Sequence, residues 1–247
     1  MTRNLIHALT PGDHYSPRTG SAVPTVVHGL ASAAQKSGAG NYTHSVLLDG
    51  SSMRPRYDSA AVVEYVGAPY PSRWGRLADA LAARAGLPRR STIAAYQPLA
   101  RTIKKSDNEA IVVAHNAPVL AGLLRERSGP VVLYAHNDIL RTVSRREATH
   151  QLDGVAAVVC VSDYLAEQIA ARLPAHLAAR VRVVENGVDT DQFSPAQAST
   201  TSSSRLRVLF LGRTIAEKGP DVLLDAARRL AREDIEYVIV GSYGDCF

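Results

Sequence analysis

Val208-Leu-Phe-Leu-Gly212-Arg213-Thr-Ile-Ala-Glu-Lys218-Gly219-Pro220-Asp-Val-Leu-Leu-Asp-Ala-Ala227 reads as a strand, a basic turn and a helix in one continuous stretch. The run 208–211 is apolar on both faces, as in a parallel strand buried between two layers. Gly212 ends it, and the fixed φ of Pro220 suits the first turn of a helix. The free N–H groups and positive dipole end of that helix face the turn holding Gly212, Arg213 and Lys218. This is the first half of a βαβ crossover, and its repetition along a chain dictates a parallel sheet.

The same grammar extends toward the N-terminus. Short apolar, β-branched runs end in polar or glycine residues at His44–Asp49, Ala61–Val66, Ala110–His115, Val131–His136, Val155–Val161 and Val181–Val184, and Tyr237–Gly241 follows the quoted stretch. Helical patterns lie between them, such as Val23, Val26, Val27, Leu30 and Ala34 with Pro24 in the first turn. The alternation predicts an α/β fold: a Rossmann-like, doubly wound parallel sheet with helices on both sides and ligands beyond the C-terminal strand ends. Small polar residues without apolar period fill 196–204, a linker by composition. The expected domains are therefore 1–195, the linker 196–204, and 205–247 as an incomplete second Rossmann-like domain of one βαβ unit.

Composition narrows the classes. Of 247 residues, 46% are hydrophobic and 21% charged, which excludes disordered and collagen-like chains. No apolar run approaches the roughly 18 residues of a membrane helix, and Leu5–Leu9 is too short and too His-broken for a signal peptide. A cytoplasmic location is expected. Cys160 and Cys246 lack C-x-x-C spacing, so neither disulfides nor structural zinc are expected.

The net charge is +5 and the pI about 9.4. Most of the excess falls between 205 and 232, where Arg228, Arg229 and Arg232 complement the end of a helix and Arg213 and Lys218 stand in the turn before it. A local excess suits a phosphate-bearing ligand better than a nucleic-acid face, and no nucleic-acid partner is expected. The turn itself has two readings, a solvated basic βα loop or an anion site in which arginine's fork and lysine's point charge grip a diphosphate. No G-x-x-x-x-G-K-[ST] or strand-linked G-x-G-x-x-G occurs, so kinase and dehydrogenase readings weaken.

Ahead of the linker stands Val183-Val-Glu185-Asn186-Gly187-Val-Asp189-Thr-Asp-Gln-Phe193-Ser-Pro195. By itself it is an exit loop: Asn-Gly is a turn signal that lets Gly187 take positive φ, Asp189 can bond backbone N–H groups, and Phe193 is expected to tuck into the domain. N-G-V-D-x-x-x-F-x-P followed by G-R-x-x-x-x-K-G-x-x-x-L resembles the signature of the family 4 glycosyltransferases, with Glu185 replacing the usual proline. The resemblance covers most of the chain.

That resemblance implies a GT-B fold of two facing Rossmann-like domains and retaining transfer from a nucleotide-sugar (UDP-, GDP- or ADP-linked) to a glycan or lipid-linked acceptor. It implies no required cofactor or metal, and peripheral membrane contact is compatible with it. Arg213 and Lys218, with Gly212, match the family's diphosphate-binding pair. Gly20 and Ser21, in Pro17-Arg-Thr-Gly20-Ser21, match its N-terminal Gly-Gly loop, with serine in place of the second glycine. His136 matches the histidine near the reaction centre and His115 a neighbouring cleft residue.

As residues alone, His115 and His136 end strands on the ligand side of the sheet, and each also reads as a cap on a strand or helix end. Asn137, Asp138 and Ser162 read as helix N-caps. A His–His–Asp metal site has no second shell in the sequence. The family's second acidic motif, E-x-x-x-x-x-x-x-E, does not follow Lys218. The first reading is a family 4 glycosyltransferase or a shortened relative of one, with the 247-residue chain by itself expected to transfer no sugar at a useful rate, and the rival reading is a truncated, non-catalytic Rossmann-like binding or regulatory protein.

Overall fold

A computed structural model describes residues 3–38, 41–69, 71–106, 108–195 and 205–241. The expected linker 196–204 and Cys246 lie outside the described residues. The chain divides into two compact units, Met1–Asp189 and Thr190–Phe247.

The first unit runs β1 (Arg3–Ala8), α1 (Ala22–Lys36), β2 (Tyr42–Asp49), β3 (Ala61–Tyr65), α2 (Arg73–Arg84), α3 (Arg90–Lys105), β4 (Ile111–His115), α4 (Pro118–Leu123), β5 (Val131–Ala135), α5 (Arg145–Leu152), β6 (Ala157–Cys160), α6 (Asp163–Ala171), α7 (Ala175–Ala178) and β7 (Val181–Val183). The strands form one seven-stranded sheet in the order β3-β2-β1-β4-β5-β6-β7, with every pair parallel. The winding reverses between β1 and β4, the point at which open α/β sheets place their ligands.

The sheet is apolar on both faces because both are covered. Ile6, Ala8, Val112, Ala114, Leu133 and Val158 pack on one side against α3, α4, α5, α6 and α7 through Leu99, Ile103, Leu120, Leu152, Ile169 and Leu177. Leu9, Val46 and Leu48 pack on the other side against Val27 of α1 and against Tyr15. The buried line of α1 is Pro24, Val27 and Ala31. Leu30, expected on that face, is exposed.

Four other expectations are corrected. The central strand β1 comes from a stretch read only as too short for a signal peptide. Asn137 and Asp138 cap no helix; Asp138 accepts a hydrogen bond from Arg172 at 2.5 Å, and Ser144 caps α5. Phe193 is 66% exposed rather than tucked in. Gly187 is not among the positive-φ glycines. Ser162 does cap α6, accepting from the Leu165 N–H at 3.2 Å.

The second unit contains β8 (Leu206–Leu211), a short 3₁₀ turn (Ala216–Lys218), α8 (Pro220–Leu230) and β9 (Ile235–Val240). β8 and β9 pair in parallel, as a βαβ connection requires. At their C-terminal ends the backbones converge so closely that a Cβ on Gly241 would collide with the Gly212 carbonyl oxygen. Leu209 and Leu211 are exposed, so one face of this small ribbon has no cover among the unit's described residues.

Candidate functional site

The sequence-derived residues fall in two groups, one in each unit. In the second unit, Gly219 takes φ 73° between the 3₁₀ turn and α8. That left-handed step, open to glycine without strain, joins the 3₁₀ turn ending at Lys218 to α8, which begins at Pro220. No side chain caps the helix. Gly212 donates its N–H to the Val240 carbonyl at 3.0 Å, anchoring the strand end from which Arg213 departs. Lys218 is exposed and Arg213 partly buried. Arg207, Arg229 and Arg232 bond Glu236, Asp225 and Asp234, so much of the local basic excess is neutralised on the surface.

In the first unit, Gly20 takes φ 56° and Ser21 follows as N-cap residue of α1. Ser21 has φ −72°, an ordinary extended conformation, so serine is accommodated there without backbone strain. Its side chain caps nothing, although Ser72, Ser144 and Ser162 each cap theirs, on α2, α5 and α6. Neither helix that follows an expected ligand loop has a side-chain cap, a property they share with α3, α4 and α7.

The two strand-end histidines are joined to two that sequence reasoning missed. His115 Nδ1 lies 2.9 Å from His136 Nε2, His115 Nε2 lies 3.0 Å from His7 Nδ1, and His7 Nε2 lies 2.9 Å from His44 Nδ1. Register accounts for the line. His44 sits opposite Leu5, two residues before His7; His7 opposite Val113, two before His115; and His115 opposite Tyr134, two before His136. On four adjacent strands an even offset keeps every side chain on one face, and each step climbs toward the C-terminal edge.

The row runs across the β1/β4 reversal. Tyr134 stacks on His136 with ring centroids 4.5 Å apart. Asn116, left-handed at φ 51°, accepts the His136 N–H at 2.8 Å and ties the ends of β4 and β5 together.

His7 and His115 are buried, and buried polar groups need partners; here each imidazole supplies its neighbour's. Burial, with the neighbouring His44, lowers the His7 pKa to about 3, and burial lowers His136 to about 4. Burial, then the two flanking histidines, holds His115 well below 6.5. His44 is lowered by burial. The row is therefore neutral at physiological pH.

His136 stands at one partly exposed end of the row and His44 at the other, while His115, expected as a cleft residue, is fully buried between them. The imidazoles bond in file instead of converging, and among the described residues no group of three or more His, Cys, Asp or Glu could hold a metal ion. A concavity of about 470 Å³ lined by Leu87, Arg89, Leu123, Glu147 and His150 contains none of these residues, and its Arg89 and Glu147 bond each other at 2.8 Å.

A parallel sheet whose winding reverses between β1 and β4 defines the doubly wound α/β class, which places ligands at the C-terminal strand ends. The family model for Glycosyltransferase Family 4 matches residues 23–192, and the chain belongs to that family. Spore coat protein SA of Bacillus subtilis (strain 168) is 28% identical over 162 residues, covering 58% of this chain and 43% of that protein. YtcC of the same strain, a glycosyltransferase by name, is 25% identical over 167 residues, covering 61% and 40%. The chain thus spans about two fifths of the length of these curated relatives. Among solved structures, the glycotransferase of kitacinnamycin shares the fold with a TM-score of 0.55 at 10% identity, over 100% of this chain and 68% of that one. Among the described residues no helix is long and apolar enough to cross a membrane.

Proposed function

We propose that the protein transfers a sugar, with retention of configuration, from a UDP-, GDP- or ADP-linked donor to an acceptor in glycan, glycolipid or cell-surface polysaccharide synthesis, without an obligatory metal. The observation that carries this reading is the pair of uncapped helices, α1 behind Gly20 and α8 behind Gly219. Unsatisfied N–H groups and a positive dipole end favour phosphate oxygens at each. Arg213 and Lys218 add full charges at the second, where a departing diphosphate accumulates negative charge. His136, neutral, offers the donor sugar a hydrogen bond rather than a charge.

A lipid-linked acceptor is favoured by α2. Its buried side presents Asp79, which accepts the Ser91 and Thr92 N–H groups at 3.1 and 2.8 Å. Its solvent side presents Trp74, Leu77 and Leu81, with Arg73 and Arg84 at the two ends. An outward apolar stripe bounded by cations suits an anionic lipid surface.

Calorimetric titration with UDP-, GDP- and ADP-sugars, with product analysis, tests the function. Binding of at least one donor, weakened by Arg213→Ala or Lys218→Ala, is expected. Binding indifferent to both substitutions overturns the assignment, and donor binding without product from any acceptor favours the non-catalytic binding protein.

A further inference from the structure

We infer that His44, His7 and His115 are positioning residues that set the tautomer of His136 and connect it to solvent at the far end of the row. The inference rests on the proposed function only in giving His136 a substrate; the row itself is geometry.

A neutral imidazole carries one N–H and one acceptor nitrogen. In each of the three contacts one nitrogen is a Nδ1 and the other a Nε2. If His136 is protonated at Nε2, it donates to His115 Nδ1, so His115 must hold its proton at Nε2 and donate to His7, which does the same to His44. If any one ring is protonated at Nδ1, all four are. The row therefore has two satisfied states, all Nε2–H or all Nδ1–H, and a mixed state leaves two facing N–H groups or two facing lone pairs in a buried contact. Such a mismatch costs about 1–3 kcal/mol, enough to couple the rings.

The coupling also provides a proton path. Starting from the all-Nε2–H state, a proton taken up at His136 Nδ1 displaces the Nε2 proton to His115 Nδ1. The His115 Nε2 proton passes to His7 Nδ1, the His7 Nε2 proton passes to His44 Nδ1, and the His44 Nε2 proton leaves to water. One proton enters, one leaves, every ring ends neutral, and the row has changed to all-Nδ1–H; passage in the reverse direction restores it. No ring in the interior need hold a lasting charge, which its burial disfavours. Tyr134 stacks on His115 and His136, and the named electrostatic influences on His7 and His115 come from other members of the row.

Nitrogen-15 NMR of histidine-labelled protein, without any sugar, tests this. In the wild type the four rings should share one tautomer. His44→Gln, at the half-buried end, and His7→Gln, in the interior, should shift the His136 Nδ1 and Nε2 resonances between pyrrole-type and pyridine-type positions or move its titration, while exposed His150 is unchanged. A wild-type row of mixed tautomers overturns the inference. So does a His136 signal identical in His44→Gln and the wild type, a variant that stays interpretable even if His7→Gln does not fold. Donor binding is scored separately, so failure here and failure of the glycosyltransferase reading are distinguishable.

Discussion

His136 Nε2 stands 2.9 Å from His115 Nδ1, so the imidazole at the edge of the sheet and the fully buried one behind it share a single hydrogen bond. Their removal should have different consequences. His115→Ala orphans nitrogens on both His7 and His136 and opens a cavity, and is expected to cost about 3 kcal/mol or more of stability. His136→Ala orphans one nitrogen and should cost about half as much while reducing transfer more per folded molecule. Urea denaturation of both variants checks the first part, and rates normalised to folded protein check the second; equal stability losses would contradict the buried row.

Acid should unfold the first unit earlier than its carboxylates alone require. His7, His115 and His136 have folded-state pKa values below their unfolded value near 6.5. The unfolded chain therefore binds protons that the folded chain refuses. Stability is full above about pH 6.5 and falls as pH drops, by up to about 1.4 kcal/mol per pH unit for each histidine, until the folded values near 4 and 3 are passed. Urea midpoints measured from about pH 7.5 to about 5 should decline steeply below pH 6.5. A flat profile would mean that the rings accept protons in place.

Trp74 is the protein's sole tryptophan, and it lies on the exposed stripe of α2. Vesicles containing anionic phospholipid should shift its fluorescence to the blue, neutral vesicles should do so less, and Leu77→Glu should abolish the shift. No response to anionic vesicles at low salt would remove α2 from membrane contact.

Arg213→Ala and Lys218→Ala should each weaken donor binding by about tenfold to a hundredfold, the worth of one charge-assisted hydrogen bond. Gly219→Ala should produce a related but milder loss by straining a φ of 73° and misdirecting the start of α8. Calorimetry on the three variants, with circular dichroism to verify the helix, provides the comparison.

Periodicity made most of the fold legible. Each β-branched run from His44 to Val184 became a strand within about two residues of its ends, because short β-branched runs closed by polar or glycine residues suit pleated backbone; the central strands are buried on both faces, while the edge strands β3 and β7 stay partly exposed. β1 escaped because His7 interrupts its pattern with a polar group on a buried face. That interruption was itself the signal: a histidine in the middle of a central strand needs a partner at matching register, and partners are visible only once pairing is known. His44 was passed over for the same reason. Gly219 and the basic turn were legible from local chain chemistry, whereas Gly20 was named only through the resemblance to the family. Phe193 was misjudged because an aromatic residue carries no information about which surface, if any, receives it.

A central strand of the sheet is completed late. β2 can join β1 soon after both are synthesised, but the other neighbour of β1 carries His115, 108 residues further along the chain than His7. At about 5–20 residues per second, synthesis alone separates those events by roughly 5 to 20 s. Throughout that interval the middle of the future sheet is an open edge, with one His7 nitrogen awaiting its partner. Nascent chains of this protein thus pass through a stage when chaperone binding or pairing between chains competes with β4 for the same strand.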